Sequence, residues 1–307
     1  MTPTDVTWYR RRWFKVAIIS LVATVILASL VIGVLFVKWN ASPEKALFDA
    51  SEHALKTPGT YQVKAKNIDI KVDVNGQKYA ASGTVDGAKI DVVISSNTLY
   101  IKSPDLEKLY DMFLAESVPK LFQPQASSIL PTLRDKWISM NLQSLPASST
   151  TIANARCGFD GKEILAADNN SRQQVTGVYL AHPFLDINTS SLSPDATKYR
   201  LSVDDKKFSS FYESFSKTGF YQSLTGCPQT TATQNSSNLK DVVATVILTQ
   251  SANQLKSFSV VRSGSTIDVT ADYSKAPTIT APTTAVSYEQ ISNNILQSYL
   301  RPFLSGR

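Results

Sequence analysis

Ser214 and Lys217 have the spacing that comes nearest to a catalytic motif in this chain. A lysine three residues after a serine lies one helical turn away, where its amine could accept the serine's proton. No S-D-N sequence accompanies the pair, and the surrounding aromatic pattern puts Ser214 in the middle of a helix. We therefore interpret the S-x-x-K match as a chance occurrence.

The acidic residues Asp69 and Asp73, together with Asn75, have spacing that resembles the start of a calcium-binding loop. A calcium loop of that type also needs a glutamate further along to complete the oxygen ligands, and none stands at that distance. Asn75-Gly76 is a strong signal for a tight hairpin turn. We therefore expect a turn here, with no metal bound.

The remaining candidates for acid–base or metal chemistry are isolated in the sequence. His53 and His182 are the only histidines, too far apart along the chain to indicate a metal site. Asp204-Asp205 precedes an amphipathic segment and fits a helix cap better than a catalytic pair. No G-x-S-x-G, Walker A, H-E-x-x-H or C-x-x-C motif occurs. We expect a protein that is not an enzyme and uses no cofactor.

The strongest single signal is an uncharged apolar run of 22 residues at positions 16–37. As a helix it would span roughly 33 Å, enough to cross a hydrocarbon core of about 30 Å. Trp13, Phe14 and Trp39 stand at its two ends, where amphipathic rings favour the membrane interface. The run predicts a transmembrane helix.

Positive charge before this run sets its expected orientation. Arg10, Arg11, Arg12 and Lys15 precede it, and the positive-inside bias places them in the cytoplasm. The predicted organisation is a basic cytoplasmic tail at 1–15, a single-pass transmembrane helix at 16–37, a linker at 38–43 and an extracytoplasmic domain at 44–307. A cleaved secretory signal is the alternative, but its apolar core would be unusually long and no small-x-small cleavage site follows.

The two cysteines, Cys157 and Cys227, both fall in the outer part, where an oxidising compartment would allow a disulfide. Closing a loop of about 70 residues would stabilise the fold by up to about 4 kcal/mol in the chain-entropy model. Two separate buried thiols are the alternative.

The formal net charge is +6, and half of it belongs to the first 37 residues. A basic face for nucleic acid is therefore not expected.

The outer region alternates helical and extended patterns, which predicts an α+β fold with antiparallel sheet. One strand over 61–74 is expected to carry a β-bulge at Lys66-Asn67, because its apolar alternation changes phase there. Predicted helices begin near Pro43, after Ser103-Pro104, at Asp204 and at Ser287. The other predicted strands lie at 78–85, 89–94, 99–101, 137–142, 175–180, 199–203, 241–250, 254–262 and 265–273.

Four segments carry a resemblance to a known family: ALFDASEHALKTPGTYQVKAK, TLYIKSPD, KWISMNLQSL and VVATVILTQSANQLKSFSVVRSGSTIDVTADYS. In these segments and in the order of its elements, the chain resembles the bacterial LolA-like and LppX/LprG-like lipoprotein-carrier half-barrels. The resemblance implies a curved antiparallel sheet whose concave face is covered by helices, with an apolar cavity that holds acyl chains. The transmembrane run and the segment at about 143–198 have no counterpart in that family.

A bent sheet covered by short helices leaves a gap that either large side chains or a ligand must fill. The candidate lining residues are the apolar members of three segments, Phe208, Phe211, Tyr212, Phe215, Ile267, Val269, Tyr273, Ile291 and Ile295. Ordinary core packing is the alternative for the aromatic stripe.

Two functions of different classes follow from the sequence. The first is a membrane-anchored protein of the cell envelope that binds a lipid or other hydrophobic ligand without catalysis. The second is a ligand-free module that contacts an envelope protein partner through a sheet edge or polar loops.

Overall fold

The computed structural model describes residues 43–113, 123–142, 161, 164–165, 167–224, 242–249 and 254–304. The chain divides into two compact units. The first comprises Met1–Gly59 and Ala147–Ser274, and the second Thr60–Pro146 and Lys275–Arg307. The apolar run at 16–37, the basic residues before it, Cys157 and Cys227 lie outside the described residues. Within the described part, no helix has the length and apolar character needed to cross a membrane.

Seven helices and twelve strands are described. The helices are α1 (Pro43–Lys56), α2 (Leu106–Phe113), α3 (Gln123–Leu133), α4 (Asn169–Ala181), α5 (Asp205–Phe215), α6 (Gly219–Ser223) and α7 (Tyr288–Leu304). The strands are β1 (Gly59–Ala65), β2 (Ile68–Asn75), β3 (Lys78–Val85), β4 (Ala88–Ser95), β5 (Thr98–Lys102), β6 (Ile138–Asn141), β7 (Leu185–Ser193), β8 (Ala196–Val203), β9 (Val243–Thr249), β10 (Leu255–Arg262), β11 (Ser265–Asp272) and β12 (Val286–Ser287).

The second unit contains a meander of antiparallel strands in the order β12-β6-β5-β4-β3-β2-β1. Only the short β12 pairs in parallel, with β6. The first unit contains the order β11-β10-β9-β8-β7, also antiparallel. Antiparallel sheet with helices confirms the α+β class. Within this order β9 lies between β8 and β10 and pairs with both.

Two-residue turns join the first strands of the meander, and the first of these turns corrects an expectation. Lys66-Asn67 is a turn between β1 and β2, so the predicted bulged strand at 61–74 is wrong. In a single strand the change of apolar phase needs an extra residue. Across a two-residue turn the residues on either side face each other, so Ala65 and Ile68 share a face without a bulge. The meander therefore has five consecutive strands, where four were expected.

The segment predicted as a strand at 175–180 lies in α4. Asp168 caps this helix by accepting hydrogen bonds from the backbone N–H groups of Asn170 and Ser171. Its buried residues, Ser171, Val175, Thr176 and Tyr179, recur with helical spacing. The short apolar stretch at the end of this helix does not by itself distinguish a strand from a buried helix, and the cap at Asp168 is what decides for the helix. The strand that follows, β7, was not predicted.

The predicted caps of α5 and α7 are confirmed. Asp204 accepts from the backbone N–H groups of Lys206 and Lys207, and this bonding lowers the pKa of its carboxyl. Ser287 Oγ accepts from the N–H of Gln290 at 3.1 Å. Gly219 begins α6, because the side chain of Thr218 accepts from the N–H of Tyr221 and starts a new turn.

Candidate apolar binding face

The strand register of the second unit gathers apolar side chains on one face of its sheet. Directly paired residues of antiparallel strands share a face. One row of pairs runs from Val72 through Ala81 and Val92 to Ile101, crossing four strands. A neighbouring row joins Ile70, Gly83 and Ile90. We name as the open apolar face the residues Ile70, Val72, Ile90, Val92, Ile94 and Ile101.

The opposite face of β2 and of the start of β4 is charged, whereas Val93 and Ser95 further along the same face of β4 are buried. Asp73 accepts a hydrogen bond from Thr60 Oγ1 at 2.6 Å and pairs with Lys71 at 3.2 Å. Asp91 pairs with Lys102 at 3.4 Å on the next strands. Exposed ion pairs add little stability individually, but the charged residues at every second position of β2 keep this part of the face in water. The apolar face is therefore the one on which helices pack.

Helices pack over part of the apolar face. Leu106 from α2, Leu133 from α3 and Ile291 from α7 form a buried cluster with Ile138 of β6. This cluster covers the sheet at its β6 end. All six residues of the open apolar face, by contrast, are only half-buried. Half-buried aliphatic side chains retain part of the hydrophobic free energy that full burial would release, at about 25 cal/mol per Å².

A charged clamp fixes α2 against α3. The guanidinium of Arg134 donates from Nε to both carboxylate oxygens of Glu107, at 2.9 and 3.1 Å, and its Nη2 lies 2.7 Å from Glu107 Oε1. This fork geometry is the stronger form of ion pair. The hydrogen bond from Arg134 lowers the pKa of the Glu107 carboxyl, and the same bond raises the pKa of Arg134. The pair links α2 to the residue that follows α3, and because both side chains are partly exposed it adds little stability.

Gly83 lies in the middle of the apolar face, paired with Ile70 on one side and Ile90 on the other. Its φ is +157°, and a Cβ there would overlap the carbonyl oxygen of Asp69 and stand 2.7 Å from Ile70 Cα. Only glycine permits so close an approach of β2 and β3. Glycines of this kind mark bends or close approaches in sheets.

The structure places the nine predicted lining residues in three groups. Phe208, Phe211 and Phe215 belong to a buried cluster in the first unit, and Tyr212 packs against it. Ile267 and Val269 alternate along β11, and Tyr273 follows that strand with its ring 5.0 Å from that of His53. Ile291 and Ile295 belong to the cluster beside the open apolar face. Whether any of them lines a cavity stays a prediction.

The aromatic group is tightly packed. Phe211 is fully buried and stacks on Phe215 with ring centroids 5.5 Å apart, and Phe184 lies 4.7 Å from Phe211. At the edge of the group, Tyr212 and Tyr221 place their hydroxyls 3.0 Å apart. Burial and that neighbouring hydroxyl raise the pKa of Tyr221. Edge-to-face and offset ring contacts of this kind are typical of a solid core.

The candidate catalytic and metal residues do not converge. Lys217 Nζ pairs with Glu213 Oε1 at 2.9 Å. Lys217 also begins a K-T-G sequence, but Thr218 in it caps α6. Asn75 donates from Nδ2 to the carbonyl of Pro277, at the turn that the sequence predicted. Among the described residues no group of three or more potential metal ligands occurs.

The open apolar face is not among the residues predicted from the sequence to line a binding site. Its residues alternate with polar ones in β2 and, except at Val93, in β4, so the signal was present. Finding it required pairing the strands across Asn75-Gly76 and Asp86-Gly87, which shows that the apolar sets coincide.

Comparison with known proteins does not assign the chain to a family. No family model matches the chain, and no curated protein matches it. Among solved structures the chain is similar to LprF from Mycobacterium bovis, with 12% identity over 80% of this chain and 98% of that chain and a TM-score of 0.36. A TM-score of this size does not establish a shared fold, so the half-barrel shape stays a proposal.

Proposed function

We propose that the chain is a single-pass membrane protein whose extracytoplasmic part binds a lipid or another hydrophobic ligand without catalysis. The observation that carries the proposal is the open apolar face, six aliphatic residues on neighbouring strands that stay half-buried. A hydrocarbon chain lying on this face would leave water and gain about 0.8 kcal/mol for each methylene that becomes buried.

The chemistry of the face favours a flexible aliphatic ligand. Its side chains are isoleucine and valine, which present methyl groups and no hydrogen-bonding atoms. Ala81 and Gly83 of β3 have small side chains and lie between larger residues of β2 and β4. The surface along this line of β3 is therefore lower than on either side. A narrow, unbranched chain fits such a line better than a fused ring system does.

The proposed membrane anchor rests on the apolar run at 16–37 and the basic residues Arg10, Arg11, Arg12 and Lys15 before it. It would keep the ligand-binding part close to the bilayer from which a lipid could be taken. Accessibility tests this orientation. A membrane-impermeant maleimide should label Asn188→Cys in intact cells above the background of the parent chain, and it should label Thr4→Cys no more than that background. The reverse pattern would contradict the anchor.

Ligand uptake by the full-length chain tests the binding proposal. Protein held in amphipol and stripped of lipid would be incubated with radiolabelled methyl palmitate carried on cyclodextrin, then separated by gel filtration. Val92→Lys places a charge on the open apolar face and should reduce uptake at least tenfold. Ser82→Lys is the matched control, because Ser82 is exposed and pairs with Asp91 on the charged face of the neighbouring strand. No uptake by the parent chain, or equal uptake by both variants, would refute the proposal.

A second function is favoured by β7, which is the outermost strand of the first unit's sheet. Every residue from Asn188 to Ser193 is exposed, and Leu192 is 57% exposed. Exposed edge strands that lack lysine and proline are open to pairing with a strand of another protein. This observation supports an envelope protein partner.

Cross-linking in cells distinguishes this function from lipid binding. A photo-cross-linking residue at position 190 should trap one dominant protein, and Asn188→Pro should abolish that product because proline removes a ladder donor and disrupts the edge. Extraction of lipid should leave the product unchanged. A smear of many products would argue against a specific partner.

A further inference from the structure

Tyr110 in α2 has a buried side chain whose hydroxyl lacks a hydrogen-bond partner. The residue is 6% exposed, and its hydroxyl makes no hydrogen bond within the described part of the chain. A buried, unpaired hydroxyl is destabilising, because its interaction with water is lost and nothing replaces it. Phenylalanine would fill the same space without that penalty, so packing alone does not explain a tyrosine here.

The position of Tyr110 relates it to the open apolar face. Leu106 and Tyr110 are four residues apart in α2 and therefore share one face of the helix. Leu106 packs with Ile138, which belongs to the apolar side of the sheet through its pairing with Ile101. α2 also packs on β4, the strand that carries Ile90, Val92 and Ile94. Tyr110 therefore brings a phenol to the side of the sheet on which the proposed ligand would lie.

The hydroxyl is suited to donating a hydrogen bond. Burial raises the pKa of Tyr110, and the nearby negative charge of Asp111 raises it further. A phenol with a raised pKa keeps its proton throughout the neutral range, so it would meet an acceptor as a donor. The side chains of the open apolar face offer no acceptor of their own.

We propose that Tyr110 is a polar anchor of the binding site, donating a hydrogen bond to an acceptor oxygen of an amphiphilic ligand. The inference rests on the proposed function, and it narrows the ligand from any hydrocarbon to a chain that carries a carbonyl or carboxylate oxygen. The apolar face then binds the chain, and Tyr110 selects the oxygen-bearing end. The hydroxyl is unpaired in the free protein because its partner belongs to the ligand.

A pair of ligands with the same number of carbon atoms tests the anchor. Methyl palmitate and heptadecane, each radiolabelled and carried on cyclodextrin, would be offered separately to the full-length chain in amphipol. The parent chain should prefer the ester. Tyr110→Phe should reduce affinity for methyl palmitate about five- to tenfold, as expected for one hydrogen bond, and so bring the ratio of the two affinities towards one.

Tyr179→Phe is the matched control for removing a buried tyrosine hydroxyl. Tyr179 is 2% exposed, and its hydroxyl bonds to the backbone of Leu185 in the first unit. Its replacement should lower the melting temperature of the free protein without changing the affinity ratio. Tyr110→Phe should leave that melting temperature unchanged or raise it, because it removes an unpaired hydroxyl.

The outcomes separate the inference from the proposed function. Uptake of neither ligand by the parent chain would refute lipid binding, and the anchor with it. If the parent chain takes up both ligands and Tyr110→Phe leaves their affinity ratio unchanged, lipid binding is supported and the role of Tyr110 as an anchor is refuted. A lower melting temperature of Tyr110→Phe in the ligand-free state, with an unchanged ratio, would show that the hydroxyl has a purely structural role.

Discussion

The apolar side chains of the two units are packed to different degrees. In the first unit, aromatic rings of α5 contact rings from neighbouring elements, and Phe211 is fully buried. In the second unit, the aliphatic residues of the open apolar face remain half-buried beside a small cluster under α2, α3 and α7. Aromatic rings can bury one another in a cluster, whereas short aliphatic side chains on a sheet are buried only when another element or molecule packs over them. The aromatic cluster is closely packed, whereas further burial of the open apolar face would still release hydrophobic free energy.

The largest expected effect comes from emptying the packed cluster. Phe211→Ala should lower the free energy of unfolding by about 4 kcal/mol, because it removes a fully buried ring and leaves a cavity among other rings. Urea denaturation followed by circular dichroism would measure the loss. Uptake of methyl palmitate at low temperature should persist in the folded fraction. Loss of uptake without loss of stability would instead make the cluster part of the ligand site.

Gly83→Ala should have the next largest effect. It should lower the free energy of unfolding by about 2–3 kcal/mol, because a Cβ cannot be placed there without separating β2 from β3. Gly76→Ala is the comparison. Gly76 also has a positive φ, at 60°, but no atom lies within 4 Å of its would-be Cβ, so it should cost about 1 kcal/mol from strain alone. Equal costs at the two positions would mean that the close approach of the strands is easily relaxed.

Val92→Ala should cost only about 1 kcal/mol of stability, because a half-buried valine has less transfer free energy to lose than a buried one. It should nevertheless weaken methyl palmitate uptake several-fold. Val246→Ala in the first unit is the control, since Val246 is buried in another cluster. It should lower stability more and leave uptake unchanged. If Val92→Ala lowered the free energy of unfolding more than Val246→Ala did, the open apolar face would be buried in solution.

The smallest effect concerns acid stability, to which capping carboxylates of the first unit contribute. Hydrogen bonds in the folded state hold the pKa of Asp204 and Asp168 below the usual 3.8. Their stabilisation is present above that value and is lost as the pH falls through the lowered pKa. Asp204→Asn preserves the cap and removes the titration, so unfolding free energy should depend less on pH below about 4.

Asp186→Asn, in the exposed strand β7, is the control for removing a negative charge. Equal flattening by the two variants would point to overall charge, with no special contribution from the cap.

Local sequence signals predicted most of the elements. Asp204, Ser287 and the turns at Asn75-Gly76 and Asp86-Gly87 act through neighbours in sequence, so their effects could be derived without a structure. The phase change at Lys66-Asn67 was ambiguous, because a bulge and a two-residue turn both produce it. At 175–180, the cap that decides for a helix stands seven residues earlier.

The candidate site was harder to predict than the elements. Aromatic residues attract attention in a sequence, so Phe208 and Phe211 were chosen as lining residues. The half-buried state of Val92 depends on how far helices extend over the sheet, and sequence spacing does not determine that. The unpaired hydroxyl of Tyr110 depends on every neighbour of that side chain, so only the structure could identify it.

The short turns between β1 and β5 have a consequence for synthesis of the protein. Each strand pairs with its immediate successor, so the meander has low contact order and can form soon after residue 102 leaves the ribosome. The helix α7, which supplies Ile291 to the cluster packed on this sheet, is synthesised about 190 residues later. The nascent chain therefore exposes an aliphatic sheet surface for many seconds, and a chaperone or the membrane itself would have to shield it from aggregation.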